Sequence, residues 1–221
     1  MRAVLLILLC LLPATALAQD NSAGPGDDRS TFSVWTGVSF HAPGWWGAVR
    51  GREFFILGVR WRHTVAQSSS ASLAYTVDGI PLAMVTKTPT RVTPPCCRPP
   101  FATDSSGPGA INADRERIEP GTAFGFGVAP LGLQLELFRE SPVYLVLGIA
   151  GGIIWFDRDV PKLQTRRMNF TVEAAASLRY PIKDRWEFTV GYKFHHLSNG
   201  GTGTFNPGLD ANVFYLAWGR R

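Results

Sequence analysis

Thiols, charge and long apolar runs are all scarce in this 221-residue chain. The three cysteines, Cys10 and the adjacent pair Cys96-Cys97, show no metal-ligand spacing, so no metal site is inferred. In an oxidising compartment the adjacent pair is compatible with a strained vicinal disulfide, and a structural clamp or no role suits it better than catalysis. Only 18% of residues are charged, and the net charge of +5 is spread along the chain. A nucleic-acid binder needs a basic stripe on a suitable fold, and neither is present. The apolar run of residues 3–12 is well short of the ~20 residues that a spanning helix requires. Preceded by Arg2 and followed by Ala16-Leu17-Ala18, it reads as the core of a secretory signal peptide covering residues 1–18. Loss of Arg2 with that peptide leaves 21 basic against 17 acidic residues, or +4.

Glycine and aromatic side chains are plentiful instead, with 23 Gly, 14 Phe, 7 Trp and 5 Tyr. About 200 residues remain after cleavage, a length that fits one domain. Residues 19–29 are polar and read as a loose N-terminal segment, and residues 30–221 carry the fold. Period-two patterning predicts strands over 31–40, 53–64, 71–77 with an extension towards 86, 122–138, 143–156, 167–180, 186–198 and 210–218. Residues 87–120 are rich in proline and turn formers and read as a long external loop. The connections alternate between long and short. Eight strands joined in that way predict an all-β fold, an eight-stranded antiparallel up-and-down transmembrane β-barrel with its short turns in the periplasm. The sixth strand supports an in/out split: Phe170, Val172, Ala174, Ala176, Leu178 and Tyr180 share one face, and Thr171, Glu173, Ser177 and Arg179 share the other. A narrow barrel fills its interior with side chains, so the polar set can face inward and the apolar set lipid. Glu173, Arg179, Glu187, Lys193 and His195 are expected to form an internal charge network.

The last two strands are the most informative. Trp186, Phe188, Val190, Tyr192 and Phe194 share one face, and the same parity runs on to His196 and Ser198. Counting back from Trp218 by twos reaches Asp210. A register that sets His196 opposite Asp210 also pairs Tyr192 with Phe214, Val190 with Leu216 and Phe188 with Trp218, which favours it. Imidazole, hydroxyl and carboxylate then lie on one face of one hairpin. A serine needs a neighbouring imidazole to take its proton, and the imidazole needs a carboxylate to fix its tautomer. Gly200 and Gly201 offer unshielded backbone N–H groups and Asn206 a carboxamide, which suit an oxyanion site. A polar hairpin loop without chemistry remains the alternative at this level.

The run His196-Leu197-Ser198-Asn199-Gly200-Gly201, followed by Asn206-Pro207-Gly208-Leu209 and a carboxylate, resembles the lipid A 3-O-deacylase (PagL) family of outer-membrane barrel hydrolases. The resemblance is densest over about the last forty residues. It implies His196 as general base, Ser198 as nucleophile, Asp210 as the orienting acid, and Asn206 with the Gly200-Gly201 backbone as oxyanion donors. It implies a carboxylic ester hydrolase that removes the 3-position acyl chain of lipid A in the bacterial outer membrane, with lipopolysaccharide as substrate and outer-membrane lipids around it. No cofactor is implied, and a homodimer stays open. The family pattern has glutamate where this chain has Asp210, so Asp210→Glu is expected at this level to retain or raise activity. Arg158, Lys162, Arg166 and Arg167 in one external region, and Arg91, Arg98, Arg115 and Arg117 in another, suit the phosphates of lipid A or simple solvation. A non-enzymatic outer-membrane barrel and a phospholipid esterase are the rival readings.

Overall fold

A computed structural model of the chain describes residues 29–92, 117–182 and 185–220. The expected signal peptide, nearly all of the segment 19–29, and Cys96-Cys97 lie outside the described residues. Within them the chain forms eight strands: β1 (Ser30–Ser39), β2 (Phe54–Gln67), β3 (Ala71–Val92), β4 (Arg117–Leu137), β5 (Tyr144–Val160), β6 (Arg166–Pro181), β7 (Trp186–Ser198) and β8 (Leu209–Arg220). Each pairs antiparallel with its sequence neighbour, and β1 pairs with β8 to close the barrel. Closure gives every strand a neighbour on both sides, which a sheet surrounded by hydrocarbon requires.

The strands run further than their sequence pattern suggests. β3 continues to Val92 and β4 begins at Arg117, with Val92 opposite Arg117, so both ends of the stretch 87–120 belong to the sheet rather than to a loop. Proline does not stop the strands, and Pro89 even pairs with Pro120. Register shifts fall between Ile80 and Ala83, around Pro81, and between Val128 and Leu131, around Pro130. A bulge releases a residue from the ladder, so a missing N–H costs nothing there. β5 likewise runs on to Val160 across a shift between Trp155 and Val160, which shortens the next connection to residues 161–165.

The lumen is packed with side chains in three layers. Near the end carrying the long loops lies an apolar plug that includes Phe54, Ile56, Val85, Ile154, Phe156, Leu197 and Leu209. Below it, Glu173 accepts from Lys193 Nζ at 2.9 Å and contacts His195 Nδ1 at 2.7 Å. The Lys193 ammonium lies 3.6 Å from the centroid of the Trp35 ring, a cation–π contact in a dry setting. At the end of the short turns Arg62 bonds Glu136 at 2.6 Å and Glu187 at 2.9 Å, and Arg179 also donates to Glu136. The expected single network is therefore two layers, with Glu173, Lys193 and His195 in one and Arg179 and Glu187 in the other.

The outer surface is the inverse of a soluble protein's. Leu133, Leu135, Ile149, Val172, Leu178, Val190, Phe214 and Leu216 are all exposed. A soluble monomer rarely shows a continuous apolar surface of this extent, whereas a barrel in lipid must. Trp61, Tyr180 and Trp218 lie towards the short-turn end of this band, and Trp155, Phe170, Trp45 and Trp46 towards the other, as interface girdles do.

Glu136 neutralises two buried guanidinium groups, so its loss leaves uncompensated charge inside the barrel. Glu136→Ala is expected to lower stability by about 3–5 kcal/mol, measured by urea unfolding of the barrel in lipid vesicles.

Candidate active site

β7 and β8 pair in the expected register, with His196 opposite Asp210, Tyr192 opposite Phe214 and Phe188 opposite Trp218. Their inward residues, Glu187, Thr189, Lys193, His195, Leu197, Ala211 and Val213, are buried in the lumen. His196, Ser198 and Asp210 have the opposite parity and face outward at the long-loop rim. His196 Nδ1 meets Asp210 Oδ1 at 2.6 Å, so the shorter aspartate reaches the imidazole directly. With Nδ1 donating, Nε2 is left as the acceptor that a general base needs.

Ser198 is two residues further along β7, a spacing of ~6.5–7 Å at the backbone. Its hydroxyl donates to Asn206 Oδ1 at 3.0 Å, not to His196, and its Oγ accepts from the backbone N–H of Gly200 at 3.1 Å. The described geometry thus gathers the proposed residues into two hydrogen-bonded groups, His196 with Asp210 and Ser198 with Asn206 and Gly200. Gly201 is placed differently from its expected role, since its N–H already donates to Asn199 Oδ1 at 2.9 Å. Both glycines adopt positive φ, 63° and 77°, which lets the chain turn sharply enough to aim the Gly200 N–H at the serine.

Asn199, to which the sequence reading gave no role, builds this loop. Its backbone N–H donates to Asn206 Oδ1 at 3.1 Å, and its Nδ2 donates to the Phe205 carbonyl at 2.6 Å. Arg166 on β6 holds the far side of the loop through two bonds to the Thr202 carbonyl, at 3.1 and 2.9 Å. Arg166 thereby has a structural contact beside any part in phosphate binding. Arg158 pairs with Asp157 at 2.9 Å. Arg98 and Arg115 lie outside the described residues, and for Arg91 and Arg117 only the backbone pairing is described.

The connection between β1 and β2, residues 40–53, is the part that sequence reasoning missed. It folds over the rim onto the end of β8, where Val49 makes a parallel bridge with Leu209. The backbone N–H groups of Trp46 and Gly47 donate to Asp210 Oδ2 at 2.7 and 3.0 Å. Trp45 stacks on Phe194, and the Trp46 ring stands edge-on to both Phe194 and His196, 5.8 Å from the imidazole centroid. The available signal was a Trp-Trp-Gly sequence within a Pro- and Gly-bearing loop, which predicts a turn but not its target.

This constellation offers a base with a fixed tautomer, a hydroxyl, and amide donors beside it, all facing lipid. The family model described as lipid A 3-O-deacylase (PagL) matches residues 36–219. No curated protein matches the sequence. Among solved structures, the crystal structure of the outer membrane enzyme PagL superposes with a TM-score of 0.56 at 15% identity, covering 84% of this chain and 97% of that one. Crystalline Neisserial surface protein A gives 0.48 at 9% identity, covering 86% and 96%. The solution structure of outer membrane protein W from E. coli gives 0.38 at 12%, covering 87% and 97%. The chain belongs to the lipid A 3-O-deacylase (PagL) family, whose members are ester hydrolases of the outer membrane.

Proposed function

We propose that this barrel hydrolyses the ester-linked acyl chain at the 3 position of lipid A, with Ser198 as nucleophile, His196 as general base and Asp210 as the orienting acid. The observation that carries the reading is the 2.6 Å contact between His196 and Asp210 on the outward face, two residues from an outward serine. Ionisable groups directed to the outward face of a membrane barrel are costly unless they serve a purpose there.

In the proposed reaction the Ser198 hydroxyl turns from Asn206 to Nε2 of His196 and gives up its proton as Oγ attacks the ester carbonyl carbon. The tetrahedral oxyanion accepts from the Asn206 carboxamide and the Gly200 N–H, while Gly201 remains committed to Asn199. His196 then protonates the sugar oxygen as the carbon–oxygen bond breaks, which leaves an acyl-serine. Water attacks that ester, His196 takes its proton and returns it to Ser198 Oγ, and the free fatty acid departs. Throughout, Asp210 stabilises the imidazolium without taking the proton itself. The side chains of Phe194, Tyr192 and Phe214 line the wall below the site, a surface along which an acyl chain can lie. Lys162 and Arg167 on the neighbouring rim supply positive charge for the phosphates of the headgroup.

The test is mass spectrometry of lipid A from cells making the wild-type chain, Ser198→Ala or His196→Ala. The wild type should remove one hydroxyacyl group from the 3 position, and each variant should lower the rate by about ten-thousandfold. Asn206→Ala should cost about a hundred- to a thousandfold in kcat. Unchanged lipid A with every chain would remove the assignment, and fatty acid released from phospholipid instead would make the enzyme a phospholipid esterase.

A further inference from the structure

Asp210 is fully buried although its side chain points away from the lumen, towards the lipid side. The strands cannot bury it, because outward parity at the rim leaves it facing the bilayer. The β1–β2 loop does so, and it is seated tightly. Ala48 N–H donates to the Pro207 carbonyl, Val49 bridges Leu209, and Ala42 and Val49 are buried in the apolar plug. Gly47 and Gly208 meet back to back. A Cβ on Gly47 would lie 2.7 Å from the Gly208 carbonyl carbon and 2.8 Å from Leu209 N, and a Cβ on Gly208 would lie 2.9 Å from His196 Cε1. No side chain fits between the loop and the imidazole–carboxylate pair.

We propose that the β1–β2 loop is a working part of the catalytic apparatus, in which the backbone N–H groups of Trp46 and Gly47 clamp the free oxygen of Asp210 and thereby set the position of His196. This rests on the assignment of Ser198, His196 and Asp210 above. Trp46 and Gly47 are positioning residues, since they act through Asp210 and touch no reacting atom. One carboxylate oxygen holds the imidazole and the other is held by two amides, so the carboxylate has neither rotational freedom nor an unsatisfied lone pair facing hydrocarbon. The clamp also accounts for aspartate at this place. With Oδ1 2.6 Å from His196 and Oδ2 2.7 and 3.0 Å from the two amides, an added methylene drives the carboxylate into the loop or the imidazole. This reverses the sequence-level expectation for Asp210→Glu.

The exposed rings of Trp45 and Trp46, 69% and 73% accessible, place the same loop at the depth where indoles favour a membrane interface. The clamp is therefore held in the layer that carries the substrate headgroup.

The experiment compares wild type, Gly47→Ala, Asp210→Ala and the double variant, each purified as folded barrel and assayed on lipopolysaccharide in detergent micelles. Folding is read from the faster gel mobility of the unheated barrel. Gly47→Ala should lower kcat about ten- to a hundredfold with KM unchanged, as expected of a displaced catalytic group. Asp210→Ala should cost more, and adding Gly47→Ala to it should cost nothing further, because the clamp then has nothing to hold. A double variant whose loss is the product of the two single losses, or a fully active Gly47→Ala, would overturn the clamp while leaving the triad intact. A fully active Asp210→Ala would overturn the triad assignment and the clamp together. If Gly47→Ala does not reach the folded barrel, Asp210→Glu decides: kcat reduced at least tenfold supports the clamp, and activity equal to or above wild type overturns it.

Discussion

Everything in this molecule depends on the closure of one sheet on itself. Once β1 pairs with β8, every strand is hydrogen-bonded to a neighbour on both sides, and alternate side chains are committed to the lumen or to the outside. That commitment lets buried ionic layers coexist with a continuous apolar exterior in a chain of 221 residues. Glu136 between Arg62 and Arg179, and Glu173 between Lys193 and His195, satisfy inward charges at two heights. The apolar plug above them closes the interior towards the long loops. The lumen then serves as a stiff filling, and the proposed chemistry lies at the rim.

Placing the proposed hydrolytic site on the outside of the barrel solves one problem and creates another. A lipid substrate needs to reach the site sideways, from the bilayer, and an outward serine at the rim allows this without any opening in the wall. The same exposure would leave a carboxylate facing hydrocarbon, where an unpartnered charge is very costly. The resolution is to fold a loop over the carboxylate and satisfy it with backbone amides rather than with a cation. Amides partner the oxygen without cancelling its charge, so in the proposed reaction the carboxylate still stabilises an imidazolium. Electrostatics and burial thus act on Asp210 from opposite sides, the strand supplying His196 and the loop supplying the two N–H groups.

The barrel was legible because its signal is periodic and local. Trp186, Phe188, Val190, Tyr192 and Phe194 announce a strand by themselves, and the register of β7 with β8 followed from matching aromatic and apolar partners. Strand ends were less legible. Pro81 and Pro130 break the pattern in sequence, yet the sheet carries them at register shifts, and β3 and β4 also pair beyond the predicted limits, with Pro89 opposite Pro120. His196, Ser198 and Asp210 were readable as a group since parity alone assigns them to one face. The occupation of the Gly201 N–H by Asn199, and the parking of the Ser198 hydroxyl on Asn206, were not readable, because a loop of positive-φ glycines has no period.

By itself the sequence determined which side chains face lipid and which face the lumen, and that a base, a hydroxyl and a carboxylate share the outward side of one hairpin. That much follows from a two-residue repeat and needs no knowledge of distant contacts. Only the tertiary structure decided how Asp210 is held, since Trp46 and Gly47 lie more than 160 residues before it and reach it through a loop whose path is set by docking. Local pattern can place a residue on a face, but the environment of that residue is made by whatever the closed barrel brings over the rim.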